Sequence, residues 1–184
     1  MLDLDFPRDL VMTGVIFGAA ALVWASWAHE RPPKGVGWRV VLVVLQLAGV
    51  ALMSFGIPVA VRNWETPTAI DPGGSAFVWY IVIFWAEIIA IVAFSIYFVR
   101  RKKTELIAPL VLTVVGLHFV PLAFVFGQPI IMVAAILLTA AGVAAAFMPS
   151  RIAAPSFLCG ILAAPILLIL GTIALVAGAG ALEG

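Results

Sequence analysis

Six apolar stretches, each long enough to cross a lipid bilayer, constrain this sequence more than any other feature. They are bounded by charged residues, Pro or Gly, and they extend roughly over 10–28, 40–61, 77–99, 106–126, 129–148 and 156–181. They lack the two-residue alternation of barrel strands, whereas a helix pairs its backbone polar groups within one segment. The sequence therefore predicts an all-α integral membrane protein, a single transmembrane bundle of six helices.

The composition excludes a soluble globule. The 184 residues are 65% hydrophobic and 10% charged, against about 45–50% and about 25% in soluble domains. Ten Lys and Arg face nine Asp and Glu, so the basic surface of a nucleic-acid-binding protein is absent and no nucleic-acid partner is expected. The single cysteine, Cys159, excludes an internal disulfide.

The basic residues alternate between the two sides of the predicted bundle. One side carries Arg31, Lys34, Arg39, Arg100, Arg101, Lys102, Lys103 and Arg151, and the other carries Arg8, Arg62 and most of the acidic residues. Because short cytoplasmic loops are enriched in Lys and Arg, both termini are predicted to be non-cytoplasmic. The first span follows an acidic opening rather than a basic one, so it is expected to be a retained helix and not a cleaved signal peptide.

Small residues predict where the helices approach one another. Gly14 with Gly18, and Ala174 with Gly178, have the four-residue spacing of close helix contacts. We favour contacts inside the bundle over a homodimer interface. Three spans in each half, with similar runs at 48–51 and 141–144, also allow a three-plus-three inverted arrangement.

Glu87 and His118 are the ionisable side chains that fall near the middle of predicted spans. A charge at the centre of a membrane helix costs about 2.5–3.5 kcal/mol on insertion scales, so such residues are rare and usually paired. Counted along their helices the two lie at similar depth, and the short 100–105 connection makes their helices neighbours. The sequence therefore predicts a carboxylate–imidazole contact.

Other polar residues extend this prediction to a layer across the bundle interior. Thr139 and Thr172 reach a similar depth, and Gln46 lies nearer the cytoplasmic side. Tyr80 shares the helix face of Glu87 by three- and four-residue spacing, together with Ile83, Phe84, Ile91 and Phe94. The predicted ligand- or proton-binding residues are Glu87, His118, Thr139, Thr172, Gln46 and Tyr80.

Several enzyme classes lack their motifs. There is no His-Glu-x-x-His pair for zinc, no lysine inside a span for a Schiff base and no Gly-x-Ser-x-Gly elbow. We therefore predict no catalytic residue, metal or cofactor, and the protein is expected not to be an enzyme.

The segment from Gly116 to Ala123, Gly-Leu-His-Phe-Val-Pro-Leu-Ala, resembles a stretch of small, uncharacterised multi-pass membrane proteins of bacteria. The resemblance covers under a tenth of the chain and implies no activity. It implies a multi-pass protein of the bacterial inner membrane.

The leading hypothesis is a membrane protein that binds or transports a small solute or ion, with Glu87 and His118 as its central polar pair. The alternative is an accessory or structural subunit of a larger membrane complex, in which the same pair only fixes helix packing. The expected partners are the lipid bilayer, a small-molecule or ion ligand, and a second copy or a membrane-complex subunit.

Overall fold

The computed structural model describes residues 2–149 and 153–183, and over these residues it is all-helical. The helices are α1 (Pro7–Ala28), α2 (Val36–Arg62), α3 (Ser75–Arg100), α4 (Ile107–Val125), α5 (Pro129–Phe147) and α6 (Pro155–Glu183). A 3-10 turn at Thr104–Leu106 precedes α4. All six helices are long and apolar enough to cross a membrane, which confirms the all-α class and the six stretches of spanning length. Arg151, one of the basic residues used to predict orientation, lies outside the described residues.

The helix boundaries follow local backbone chemistry. Pro7 and Pro129 begin α1 and α5, where the missing N–H of proline costs no helical hydrogen bond. The largest difference from the predicted spans is at α2, which begins at Val36 instead of residue 40. Gly35, with φ of +119°, precedes it, and this backbone conformation is open to glycine at no steric cost.

Helix α1 lies between α6 and α2 and packs closely against both. A Cβ built on Gly14 would lie 2.7 Å from the carbonyl oxygen of Gly171 in α6, and one on Gly18 would lie 3.0 Å from that of Gly49 in α2. On α6, Gly178 meets Pro7 and Leu10 in the same way. The small-residue pairs therefore serve contacts inside the bundle, as favoured from the sequence.

Helices α4 and α5 form a tight antiparallel hairpin through a turn at Gly127, which has φ of +63°. Gly116 of α4 faces Thr139 of α5, and Gly142 of α5 faces Thr113 of α4. Each threonine thus occupies the space that a glycine leaves on the other helix. This reciprocal fit fixes α4 firmly on one side.

Helix α3 lies at the edge of the bundle. None of its residues, all of which the structure describes, is buried, and its extensive packing is against α4. The partly buried side chains include Tyr80, Ile83, Glu87 and Ile91, whose three- and four-residue spacing defines one helix face. That face is the one that α3 turns toward α4.

The loop between α2 and α3 is tied to the first turn of α1. The carboxylate of Asp9 accepts hydrogen bonds from the Thr68 hydroxyl at 3.0 Å and from the Ala69 backbone N–H at 2.8 Å. Arg8 lies 3.6 Å from the same carboxylate and donates to the carbonyl oxygen of Trp64. Both Arg8 and Asp9 are buried, so these contacts hold the 63–74 loop in an ordered conformation.

Candidate functional site

Glu87 and His118 are in contact. The Nδ1 atom of His118 lies 3.1 Å from Oε1 of Glu87, and the side chains are 15% and 11% exposed, respectively. The same Nδ1 lies 2.8 Å from the carbonyl oxygen of Val115, one helical turn earlier in α4. The contact predicted from matched depth and the short connection is therefore present in the structure.

The pair lies far from the ends of α3. At ~1.5 Å per residue, Glu87 is about 18 Å along the helix axis from Ser75 and about 20 Å from Arg100. The other Asp, Glu, Lys and Arg residues of the six helices lie within four residues of a helix end; these are Arg8, Asp9, Arg39, Arg62, Arg100 and Glu183. Glu87 and His118 thus stand apart as ionisable groups at the middle level of the bundle.

His118 and Gly116 lie on opposite faces of α4, one toward α3 and the other toward α5. Gly116 packs against Thr139 of α5, and His118 lies two residues further along the helix. At 3.6 residues per turn, two residues rotate a side chain by about 200°, so His118 projects from the opposite side of α4, toward α3. Close packing on α5 therefore supports the helix that presents the imidazole to Glu87.

One aromatic ring lies directly beside the contact. The ring of Phe119 lies 4.6 Å, centroid to centroid, from the His118 ring. Phe119 also stacks on Phe17 of α1 at 5.5 Å. These contacts join the site to the core of the bundle and limit the rotation of the imidazole.

The other predicted site residues lie elsewhere. Tyr80 is on the Glu87 face but about 10 Å further along α3, where its ring meets Phe126 edge-on at 6.1 Å. Thr139 is on the far side of α4, against Gly116. Gln46 donates to the hydroxyl of Ser26 at 2.9 Å, between α2 and α1.

The expectation of one polar layer through the bundle interior is wrong for Thr172. This side chain is exposed on α6, and its hydroxyl donates to the carbonyl oxygen of Leu168 at 2.7 Å. Threonine satisfies its hydroxyl in this way within one helix, so no partner on another helix is required. Thr172 can therefore lie on the face of α6 that points out of the bundle.

The prediction that Ile83, Phe84, Ile91 and Phe94 share the face of Glu87 holds only in part. Phe84 and Phe94 are 43% and 52% exposed, and the Phe84 ring packs against its neighbour Trp85. Ile83 and Ile91 do lie on the partly buried face. Phe84, three residues before Glu87, lies about 60° around the helix and so falls at the edge of this face, whereas Phe94 lies within about 20° of Glu87 and is exposed nonetheless.

Two features of the structure were missed from the sequence. The Val115 carbonyl contact depends on the rotamer of His118, for which the sequence carries no signal. Arg8 and Asp9 were interpreted only as indicators of orientation. An acidic residue in the first turn of α1, together with the polar loop of 63–74, could have suggested hydrogen bonds between the two.

Two surface cavities lie away from the pair. One of about 410 Å³ lies at the start of α2, lined by Lys34, Trp38 and neighbouring residues, and one of about 330 Å³ lies at the α4–α5 turn beside Gln128. Neither is lined by Glu87 or His118. Within residues 2–149 and 153–183, no group of three or more His, Cys, Asp or Glu side chains is placed to hold a metal ion.

Comparison with known proteins finds no matching family model, no matching curated protein and no matching solved structure.

Proposed function

We propose that this protein binds or transports a small solute or ion in a proton-linked manner, with the Glu87–His118 pair as its functional site and without enzymatic activity. The observation that carries the proposal is the 3.1 Å contact between a carboxyl and an imidazole group at the middle level of two apolar helices. Ionisable side chains at that depth commonly mark ion or proton pathways.

The pair has the chemistry of a proton-binding site. A carboxylate and an imidazole in contact share their protons as one coupled unit, so the pair can bind one proton and in that state carries no net charge in the hydrocarbon. Because the His118 and Glu87 side chains are only 15% and 11% exposed, a proton or small ion suits this site better than a bulky solute. Tyr80, Thr139, Thr172 and Gln46 lie outside this contact and are not needed for it.

The proposed setting is the bacterial inner membrane, with both termini on the non-cytoplasmic side. The alternation of basic residues supports this orientation. Helix packing also supports two inverted halves: α1 packs against α2 and α6, while α4 packs against α5 and α3. Exchanging the halves converts these contacts into one another, although α6 also packs against α5 and α2 whereas, within the described residues, α3 has no comparable packing against α2 or α5.

Flux through reconstituted liposomes tests the proposal. Glu87→Gln and His118→Ala are expected to abolish proton-linked flux, because each removes one member of the pair. Thr172→Val is the matched control, since Thr172 is also a polar residue far from both ends of its helix, but its hydroxyl donates to a carbonyl oxygen of the same helix. Wild-type flux in both site variants would refute the proposal.

The second candidate is an accessory or structural subunit of a membrane complex. It is favoured by α3, whose aromatic side chains Trp79, Trp85 and Phe94 are all exposed and could face either lipid or another subunit. Crosslinking and native mass spectrometry in mild detergent distinguish the two. A stoichiometric partner protein, combined with unchanged flux in the site variants, would support the subunit role.

A further inference from the structure

The imidazole of His118 faces two oxygen atoms through the same nitrogen. Its Nδ1 lies 2.8 Å from the Val115 carbonyl oxygen and 3.1 Å from Oε1 of Glu87. Both distances fall within hydrogen-bonding range. The second ring nitrogen, Nε2, takes no part in either contact.

The Val115 carbonyl decides which nitrogen carries the proton. A carboxyl group can donate or accept, depending on its own protonation, whereas a backbone carbonyl can only accept. If Nδ1 had no hydrogen, its lone pair would point at the carbonyl oxygen from 2.8 Å, which is repulsive. An N–H at Nδ1 instead satisfies both oxygens through one shared hydrogen bond.

We infer that the Val115 carbonyl locks neutral His118 in the Nδ1–H form, so that the pair exchanges its proton only at Nε2. In a neutral histidine one nitrogen donates and the other accepts, and the hydrogen bond made by one fixes the role of the other. Val115 is therefore a positioning residue that acts through its backbone. The importance of Nε2 for transport rests on the proposed function, but the proton position itself does not.

A hydronium ion from the aqueous phase gives a proton to the Nε2 lone pair, so an N–H bond forms, an O–H bond breaks and water leaves. With Glu87 ionised, the pair changes from a net charge of −1 to a neutral ion pair. Loss of the same proton from Nε2 to water reverses the step, while Nδ1 keeps its hydrogen throughout.

Among the residues of the helices packed around α4, Glu87 is the charged residue that contacts His118. Helix α5 contains no Asp, Glu, Lys, Arg or His. On α6, Cys159 lies near the start and Glu183 at the end. On α3, Tyr80 is about 10 Å away along the axis and Arg100 is the last residue.

Nitrogen NMR of the reconstituted protein tests the inference. The full-length protein is labelled with ¹⁵N-histidine and carries His29→Gln, because His29 is the only other histidine and lies at the end of α1. At alkaline pH the neutral His118 ring should show a protonated Nδ1 and a bare Nε2. Acidification should then protonate Nε2, with the Nδ1 hydrogen retained.

A neutral ring that carries its hydrogen on Nε2 would overturn the inference, because Nδ1 would then accept from a protonated Glu87. The variant Glu87→Gln separates the two oxygens: the Nδ1–H form should persist, since the Val115 carbonyl remains. A switch to the Nε2–H form in that variant would show that Glu87, and not Val115, sets the proton position, and would also overturn it.

The two proposals fail in different ways. If liposomes that contain the wild-type protein show no proton-linked flux but the Nδ1–H form is observed, the proposed function alone is contradicted. Flux with the Nε2–H form observed contradicts this inference alone. The labelled sample needs no substitution at either site residue, so misfolding of a site variant does not affect the main result.

Discussion

Substituting Gly142 by alanine should separate α4 from α5, although the change adds a single methyl group. A Cβ at this position would lie 2.5 Å from Oγ1 of Thr113, 2.7 Å from its backbone nitrogen and 3.0 Å from the Pro109 carbonyl oxygen. Two of these atoms belong to the α4 backbone and cannot rotate away. The helices must therefore move apart until ordinary contact distances are restored.

The distances give the size of the effect. Ordinary carbon contacts begin near 3.4 Å, so α4 and α5 must separate locally by about 1 Å, a gap that forfeits roughly a quarter to a half of the attraction at each contact it opens. Overpacking of this kind typically costs about 1–3 kcal/mol. Alanine also improves helix propensity over glycine by about 0.5–1 kcal/mol, which partly offsets the cost.

Gly180→Ala is the matched control. Gly180 lies in α6, and a Cβ there meets no atom within 4 Å. Both substitutions replace a helical glycine by alanine, so the difference in unfolding free energy between the two variants reports mainly the clash and should be about 1–3 kcal/mol. Reversible unfolding in mixed detergent and SDS micelles, followed by circular dichroism, measures this difference.

A second glycine tests the reasoning about backbone and side-chain clashes. A Cβ on Gly56 would lie 2.5 Å from a methyl carbon of Val15 and 3.2 Å from Leu175, both of them side-chain atoms. Adding Val15→Ala should therefore rescue Gly56→Ala, whereas adding Thr113→Ala should leave most of the Gly142→Ala defect. Equal stability of Gly142→Ala and Gly180→Ala, or equal rescue in both pairs, would refute the packing argument.

Three further predictions follow from the described contacts. Replacing both Glu87 and His118 by leucine should restore most of the stability lost in either single variant, because removing one member of a buried pair leaves the other unpaired; a double-mutant cycle in SDS measures the coupling, and a value near zero would contradict the contact. The same double variant should stay inactive in liposomes, and retained flux would favour a packing role. Asp9→Ala should cost about 1.5–3 kcal/mol, since it removes charged hydrogen bonds to Thr68 and Ala69; limited proteolysis should show faster cleavage within residues 63–74, and an unchanged rate would contradict the tie.

The fold could be predicted from the sequence because the thickness of the bilayer sets the length of each apolar stretch. The Glu87–His118 contact could be predicted for a related reason. A connection of only a few residues places α3 beside α4, and counting residues from the helix ends gives both side chains a similar depth. The length of a helix and the depth of a side chain both follow from counting residues along the chain, so both can be read from the sequence.

Rotation of each helix about its own axis could not be predicted in the same way. Thr172 was placed in the interior by depth alone, but a hydroxyl that bonds to its own helix is free to face outward. Phe84 was assigned to the Glu87 face, yet the stripe that contacts α4 is too narrow to include it. The partner of Asp9 lies 59 residues away, and no local pattern identifies it.

The close packing of α1 against α6 has a consequence for biosynthesis. The two helices are separated by the whole of α2 to α5, and at about 5–20 residues per second the ribosome needs roughly 6–25 s to make the residues between them. During that time Gly14, which later meets Gly171, has no α6 to contact, whereas Gly18 can already pair with Gly49 of α2. In the newly made α1–α2 hairpin, the Gly14 side of α1 therefore has no packing partner on α6 and is exposed to lipid until the last helix is inserted.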